Sequence, residues 1–85
     1  MVEDLLHKVG RPERLRAIMR MLKDGKKPST FGLRALFGVS EMTVLNDVKY
    51  LKMLGKLSPS FQLWRQKDAS SIEELKNYVD SEVWD

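Results

Sequence analysis

Apolar residues recur with a helical period in the first third of the chain. Within RPERLRAIMRMLKDGKKP, the positions i, i+3, i+4 and i+7 are occupied by Leu15, Ile18, Met19 and Leu22. Pro12 stands at a first-turn position, where proline is favoured, and Gly25 and Pro28 follow the last apolar residue. The pattern therefore predicts a first helix between Pro12 and Gly25.

Two further helical patterns are separated by the sequence Gly-Val-Ser at residues 38–40. Glycine adopts the left-handed conformation that ends a helix, and serine caps the start of the next. Ser29 or Thr30 can cap the second helix, and Gly55 ends the third. The two apolar stripes are Leu33, Leu36 and Phe37, and Val44, Val48 and Leu51. Because the turn crosses the two helices, with Val39 in the corner, the pattern predicts a helix-turn-helix.

The period changes after Gly55. The segment KLSPSFQLWRQ alternates apolar and polar residues around Pro59, which predicts a small hairpin over residues 56–66, kept short or irregular by the proline. Tyr50 and Trp64 are interpreted as packing between the third helix and this hairpin.

The last segment again has a helical pattern. Ser70 precedes Glu73 by three residues, as in a capping box. The apolar stripe consists of Ile72, Leu75, Val79 and Val83. The predicted fold is therefore mainly α with a small β-hairpin wing. One domain of residues 1–85 holds a winged helix-turn-helix core at 12–66 and a C-terminal helix at 70–85.

Charge is segregated along the chain. Residues 8–67 hold 14 lysines and arginines against four acids, a net charge of +10, whereas residues 68–85 hold one lysine against six acids, a net charge of −5. A basic body attracts a polyanion, and the acidic end does not.

Several functions are disfavoured by composition. The chain has no cysteine and one histidine, His7, so neither a cysteine-based metal site nor a histidine-based triad can be assembled within it. Glu73 and Glu74 are interpreted as helix-start residues rather than an acid/base pair. We expect no enzymatic activity, no cofactor, no small-molecule effector and no membrane segment, and therefore a cytoplasmic protein, nucleoid-associated or in the cytoplasm of a host if viral.

The segment LFGVSEMTVLNDVKYLKMLGKL resembles the helix-turn-helix of DeoR-type winged-helix repressors. The residues in register with that family are Phe37, Gly38, Val39, Ser40, Thr43, Val44, Asp47, Val48, Leu51 and Gly55. The resemblance covers about residues 28–66 and implies a winged helix-turn-helix that binds DNA. In size the chain is similar to stand-alone winged-helix proteins of archaeal viruses and plasmids.

Three departures limit what the resemblance implies. Arg34 stands where the family has a small residue, and Leu45 and Asn46 replace its paired arginines. The family's phosphate and base contacts are therefore not carried over to these positions. The family's sugar-phosphate-sensing domain has no counterpart in the sequence, so no effector is implied.

Helix geometry gives the candidate reading face. With Val44 toward the core and about 100° per residue, Met42, Asn46, Lys49 and Met53 lie on the outer face. An asparagine can pair with adenine, a lysine can reach guanine or a phosphate, and Met42 or Thr43 can touch a thymine methyl group. The predicted DNA-binding residues are Ser29, Thr30, Arg34, Ser40, Met42, Thr43, Asn46, Lys49, Lys56 and Arg65.

These observations predict a sequence-specific regulator, acting as a repressor, that binds double-stranded DNA as a homodimer. The predicted dimerisation residues are Ile72, Leu75, Tyr78, Val79, Val83 and Trp84. Two alternatives stay open. One is a protein-interaction winged helix with Met42, Leu45 and Met53 as its apolar contact face. The other is the DNA-binding part of a replication or partition complex. A fourth helix that folds back onto its own domain is the alternative to the dimer.

Overall fold

The computed structural model describes residues 9–79, in which four α-helices follow one another along the chain. The helices are α1 (Arg11–Lys23), α2 (Thr30–Phe37), α3 (Glu41–Met53) and α4 (Ile72–Lys76). A single 3-10 turn, Gln66–Asp68, lies between α3 and α4. The mainly helical prediction is confirmed.

The turn between α2 and α3 has the predicted chemistry. Gly38 has φ 70°, in the left-handed region, and its N–H and that of Val39 donate to the carbonyl of Arg34. The Oγ of Ser40 accepts the N–H of Thr43 at 3.2 Å, and the Oγ of Ser29 caps α2 through the N–H of Gly32 at 3.0 Å. The helix-turn-helix is therefore set by local sequence.

One core joins all four helices. Its fully buried side chains are Ala17, Ile18, Met21, Leu33, Phe37, Val44, Leu51 and Leu75. The buried face of α1 is centred on Ala17, Ile18 and Met21, whereas Leu15 and Met19 are only partly buried. The predicted stripe was displaced by part of a turn because it counted large apolar residues and left out the small Ala17.

The predicted hairpin wing is not present: within residues 9–79 the structure has no β-strand, only an isolated parallel bridge between Ser29 and Trp64. The N–H of Phe61 closes a turn on the carbonyl of Ser58 at 2.9 Å, and the N–H of Trp64 then donates to the carbonyl of Pro28 at 3.1 Å. Trp64 therefore pairs with the segment before α2, and residues 61–64 do not return as a strand along residues 56–58. Proline at 59 favours this outcome because it cannot donate to a strand ladder.

The C-terminal helix starts one residue later than predicted and is shorter within the described residues. The Oγ of Ser71, not Ser70, accepts a helix N–H, from Glu74 at 3.2 Å. The Oγ of Ser70 instead accepts the N–H of Lys27 at 2.8 Å. The predicted helix extends over residues 80–85, including Val83 and Trp84, and that part lies outside the described residues.

The apolar side of α4 packs against its own domain. Leu75 is fully buried, and Tyr78 and Val79 pack against the same core. The hydroxyl of Tyr78 donates to Oδ2 of Asp24, after the end of α1, at 2.5 Å. This hydrogen bond, with some loss of hydration, raises the pKa of Tyr78. For Leu75 the prediction of a dimer contact is wrong, because a residue inside its own core cannot reach a partner.

Candidate nucleic-acid interface

Helix α3 presents one face to the core and the other to solvent. Its buried residues are Val44, Asp47, Val48 and Leu51. On the opposite face Met42 and Met53 are 66% and 75% exposed, and Asn46 and Lys49 are also exposed. The predicted outward orientation of these four side chains is confirmed; their contact with DNA stays a prediction.

A buried ion pair fixes α3 against α1. The carboxylate of Asp47 has no exposed surface and receives two hydrogen bonds from Arg14, from Nε at 2.5 Å and from Nη2 at 3.1 Å. The Nη1 of Arg14 donates to the carbonyl of Val9 at 2.7 Å. A bidentate pair of this kind holds both the distance and the rotation of the two helices.

Sequence reasoning missed this pair, although one signal for it was present. Asp47 lies among Val44, Val48 and Leu51, in the middle of a stripe that faces the core. A carboxylate at such a position requires a partner, since an unpaired buried charge is strongly unfavourable. Its identity, Arg14 on another helix, depends on tertiary packing.

Helices α2 and α3 and the loop after α3 border an open groove. The groove has a volume of about 440 Å³ and is lined by Thr30, Leu45, Val48, Lys49, Lys52 and residues 61–63. It brings together Thr30 and Lys49, which the sequence predicted, and adds Lys52, which it did not. Two lysines thus line the same groove as Thr30, the first residue of α2, where the helix dipole also favours an anion.

The other predicted DNA-binding residues are distributed around this groove or away from it. Ser29 is almost fully buried and its hydroxyl caps α2, so the predicted phosphate contact does not fit its position. The hydroxyl of Ser40 is likewise engaged by Thr43, whose Oγ1 lies 3.1 Å away. Both serines cap helix starts, but Ser40 is exposed, so its contact with DNA stays a prediction.

Three cations were also predicted at the interface. Arg34 is exposed on α2 and borders a surface pocket with Phe31 and the 38–39 turn. Lys56 borders a different pocket of about 420 Å³, with Leu15 and Met19 of α1, and does not line the groove that contains Lys49. Arg65 is exposed directly after Trp64, whose ring contacts Phe61 edge-to-face with centroids 5.9 Å apart.

Tyr50 packs differently from the prediction. Its ring lies under the guanidinium of Arg11 on α1, with 4.9 Å between the Arg11 Cζ and the ring centroid. The Nε of Arg11 is 3.9 Å from Oδ1 of Asp47. Tyr50 therefore contacts Arg11 of α1, a partner that the sequence did not predict.

Within residues 9–79 the acidic and histidine side chains form no group of three that could hold a metal ion. None of the helices there has the length and apolar character of a membrane span.

A comparison with protein families identifies the domain. The model for the DeoR-like helix-turn-helix domain matches residues 14–58. The chain belongs to this family. The matched segment of the DeoR-like domain starts at Arg14, includes the crossed helices α2 and α3, and ends in the turn after Lys56. The resemblance read from the Gly-Val-Ser turn is confirmed, and the domain is a DNA-binding helix-turn-helix module.

The family match does not extend over the C-terminal part of the described chain. Residues 59–79, which supply Leu75 to the core and Trp64 to the contact with Pro28, lie beyond the matched segment. Searches among curated proteins and among solved structures gave no match.

Proposed function

We propose that this DeoR-like domain binds double-stranded DNA with sequence preference and regulates transcription, with α3 lying in the major groove. The observation that supports the proposal best is the outer face of α3, which carries Asn46 and Lys49 on the second helix of a DeoR-like helix-turn-helix. In helix-turn-helix proteins this helix contacts base edges.

Base reading is assigned to the outer face of α3. Asn46 is short and neutral, and an asparagine amide can form two hydrogen bonds with adenine. Lys49 reaches guanine or a phosphate, and Met42 and Thr43 contact thymine methyl groups. The specificity of the complex would therefore depend most on Asn46.

Backbone anchoring is assigned to the groove beside α3. This groove is lined by Thr30 at the start of α2 and by Lys49 and Lys52 on α3. Phosphate contacts of this kind set the position of the protein on the duplex without reading its sequence. Arg34 on α2 adds a long, exposed cation next to the turn. Arg65 extends the positive surface past Trp64.

The regulatory proposal is a repressor that covers a promoter as a homodimer. Leu75 is excluded from the interface by its burial, and Tyr78 is bonded to Asp24. Of the predicted stripe, Ile72 is 36% exposed, and Val83 and Trp84 lie outside the described residues. An interface through the C-terminal helix would be built from these three residues.

A protein-interaction role is the second candidate, and one observation favours it. Met42, Leu45 and Met53 are exposed on α3 and form an apolar surface that a protein partner could cover. This role uses the same face as base reading, so one experiment separates the two.

The experiment selects a preferred duplex from random sequences and titrates it, with random duplex as competitor, at two salt concentrations. Asn46→Ala is expected to weaken binding to the selected duplex by ~1–3 kcal/mol and to leave random duplex almost unchanged. Arg34→Ala is expected to weaken both equally and to lower the salt slope by roughly one counterion.

Melting curves serve as the control. If the Arg34 side chain stabilises the contact of α2 with α3, Arg34→Ala will have a lower melting temperature than the wild type. If Asn46→Ala binds the selected duplex like the wild type, the reading face is wrongly assigned and the protein-interaction role gains. Absence of binding to any duplex would overturn the proposed function itself.

A further inference from the structure

Arg11 is an exposed cation held in a fixed position beside the outer face of α3. Its side chain is 53% exposed, yet its guanidinium lies 4.9 Å from the centroid of the Tyr50 ring and its Nε lies 3.9 Å from Asp47. Cation–π stacking on a tyrosine restrains the guanidinium plane. An arginine on a surface usually samples many rotamers, whereas this one is restrained by two groups of α3.

Arg11, Arg14 and Asp47 form a cluster of two positive charges and one negative charge. Among residues 9–79, Asp47 is the carboxylate that both arginines approach, and Arg14, whose side chain is only 11% exposed, donates to both of its oxygens. Arg14 therefore neutralises Asp47, and Arg11 is the surplus cation. The surplus charge lies on the solvent side of the cluster, where an anion can approach it.

The position of Arg11 relates it to the reading face. Tyr50 follows Asn46 by four residues, so the two side chains are neighbours on one flank of α3. The groove with Thr30 and Lys52 lies on the other flank, beside Leu45. Cations thus stand on both sides of the outer face of α3, as a helix inserted between two phosphate strands requires.

We infer that Arg11 is a DNA-phosphate-binding residue, oriented for its contact by Tyr50 and Asp47. It lies before the segment that matches the family model, which starts at Arg14. The inference rests on the proposed function. Arg11 would contact the duplex on the flank of α3 that faces α1, opposite the groove.

Salt dependence tests the inference. One phosphate contact contributes a slope of about −0.9 to the dependence of log K on log salt concentration. Arg11→Gln should therefore lower the slope by about 0.9 on selected and random duplex alike, and weaken binding about 8-fold at 0.1 M salt but only about 2-fold at 0.5 M.

The matched control is Lys23→Gln, which removes the same charge from the last turn of α1, about 18 Å along the helix from Arg11. This variant should keep the wild-type slope. An equal loss of slope in both variants would show a general effect of net charge and would overturn the assignment.

Tyr50→Leu tests the orienting role. It keeps the charge of Arg11 and removes the ring beneath it, so it should weaken binding in the wild type but not further in Arg11→Gln. Additive losses would show that Tyr50 does not act through Arg11.

Stability is kept apart from binding in two ways. Arg11→Gln leaves Asp47 paired with Arg14, so its melting temperature should stay close to that of the wild type. The second measurement uses the wild type: the Nε–H resonance of Arg11 should shift on titration with duplex. If the wild type binds duplex while the slope of Arg11→Gln and the Arg11 resonance stay unchanged, the inference fails and the proposed function stands. If the wild type does not bind duplex, both fail.

Discussion

Asp47 is a charged residue inside the core, on the helix whose opposite face carries Asn46. Moving a carboxylate out of water is unfavourable by several kcal/mol, and the two hydrogen bonds from Arg14 offset that cost only while the geometry is kept. The pair is therefore weak evidence of extra stability. Its effect is to define the angle at which α3 is presented, since few rotations of α3 would keep both bonds.

Removing the carboxylate leaves the charge of Arg14 without a partner. We expect Asp47→Ala to lower the free energy of unfolding by about 3–5 kcal/mol, which is a large part of the stability of a small domain. Urea denaturation at neutral pH measures the loss. Glu41→Ala is the control on the same helix, because Glu41 is exposed and interacts mainly with the helix dipole, worth about 0.3–1 kcal/mol.

The double variant Arg14→Met with Asp47→Leu separates stability from orientation. Replacing both charges by apolar residues often restores stability. A double variant that is stable but binds DNA weakly would support the orienting role. If Asp47→Ala is as stable as Glu41→Ala, the ion pair does not hold the helices together.

At the scale of single residues, the sequence predicted those positions that a helical period determines. Met42, Asn46 and Lys49 are exposed as predicted, because one buried residue, Val44, fixes the rotation of the whole helix. Lys52 and Arg11 were missed, because their relevance comes from contacts with other elements: the loop at 61–63 and Tyr50 on α3.

At the scale of elements, the helices and the predicted hairpin differ in the sequence separation of the residues that determine them. The ends of α2 and α3 depend on capping groups within three or four residues, and both were predicted. A hairpin depends on which segments pair. Trp64 pairs with Pro28 and Ser29, more than 30 positions away, and no local sequence pattern predicts that pairing.

The docking of α4 is the element-scale feature with the clearest energetic consequence. Leu75 is fully buried, and removing its side chain is expected to lower the free energy of unfolding by about 2–5 kcal/mol. Ile72→Ala on the same helix should cost less than Leu75→Ala, because Ile72 is partly exposed. Thermal melting of both variants measures the difference. A Leu75→Ala variant that melts like the wild type but no longer self-associates would return Leu75 to an intermolecular interface.

At the scale of the whole molecule, the proposed homodimer determines the form of the DNA site. If the homodimer is two-fold symmetric, two α3 helices enter major grooves about one turn apart, and the preferred site is an inverted repeat with half-site centres ~10 bp apart or a multiple of that. Sedimentation at micromolar concentration and footprinting on the selected duplex test both parts.

The two measurements have distinct unfavourable results. A protein that sediments as a monomer down to 50 mM salt and still binds with full affinity contradicts the homodimer. A footprint over one asymmetric half-site contradicts the symmetric arrangement. Neither result affects the assignment of Asn46, since one helix-turn-helix reads one half-site.

The segment between α1 and α2 has a consequence for engineering the chain. By composition, GKKPST is a surface loop of the kind that usually accepts insertions. However, Lys27 exchanges two hydrogen bonds of 2.8 Å with Ser70, and Pro28 accepts one from Trp64. An inserted tag or added residue there would pull residues 64–71 away from the body and leave these backbone groups unpaired. The turn at residues 58–60 is the better insertion point, because its hydrogen bonds close within residues 58–61.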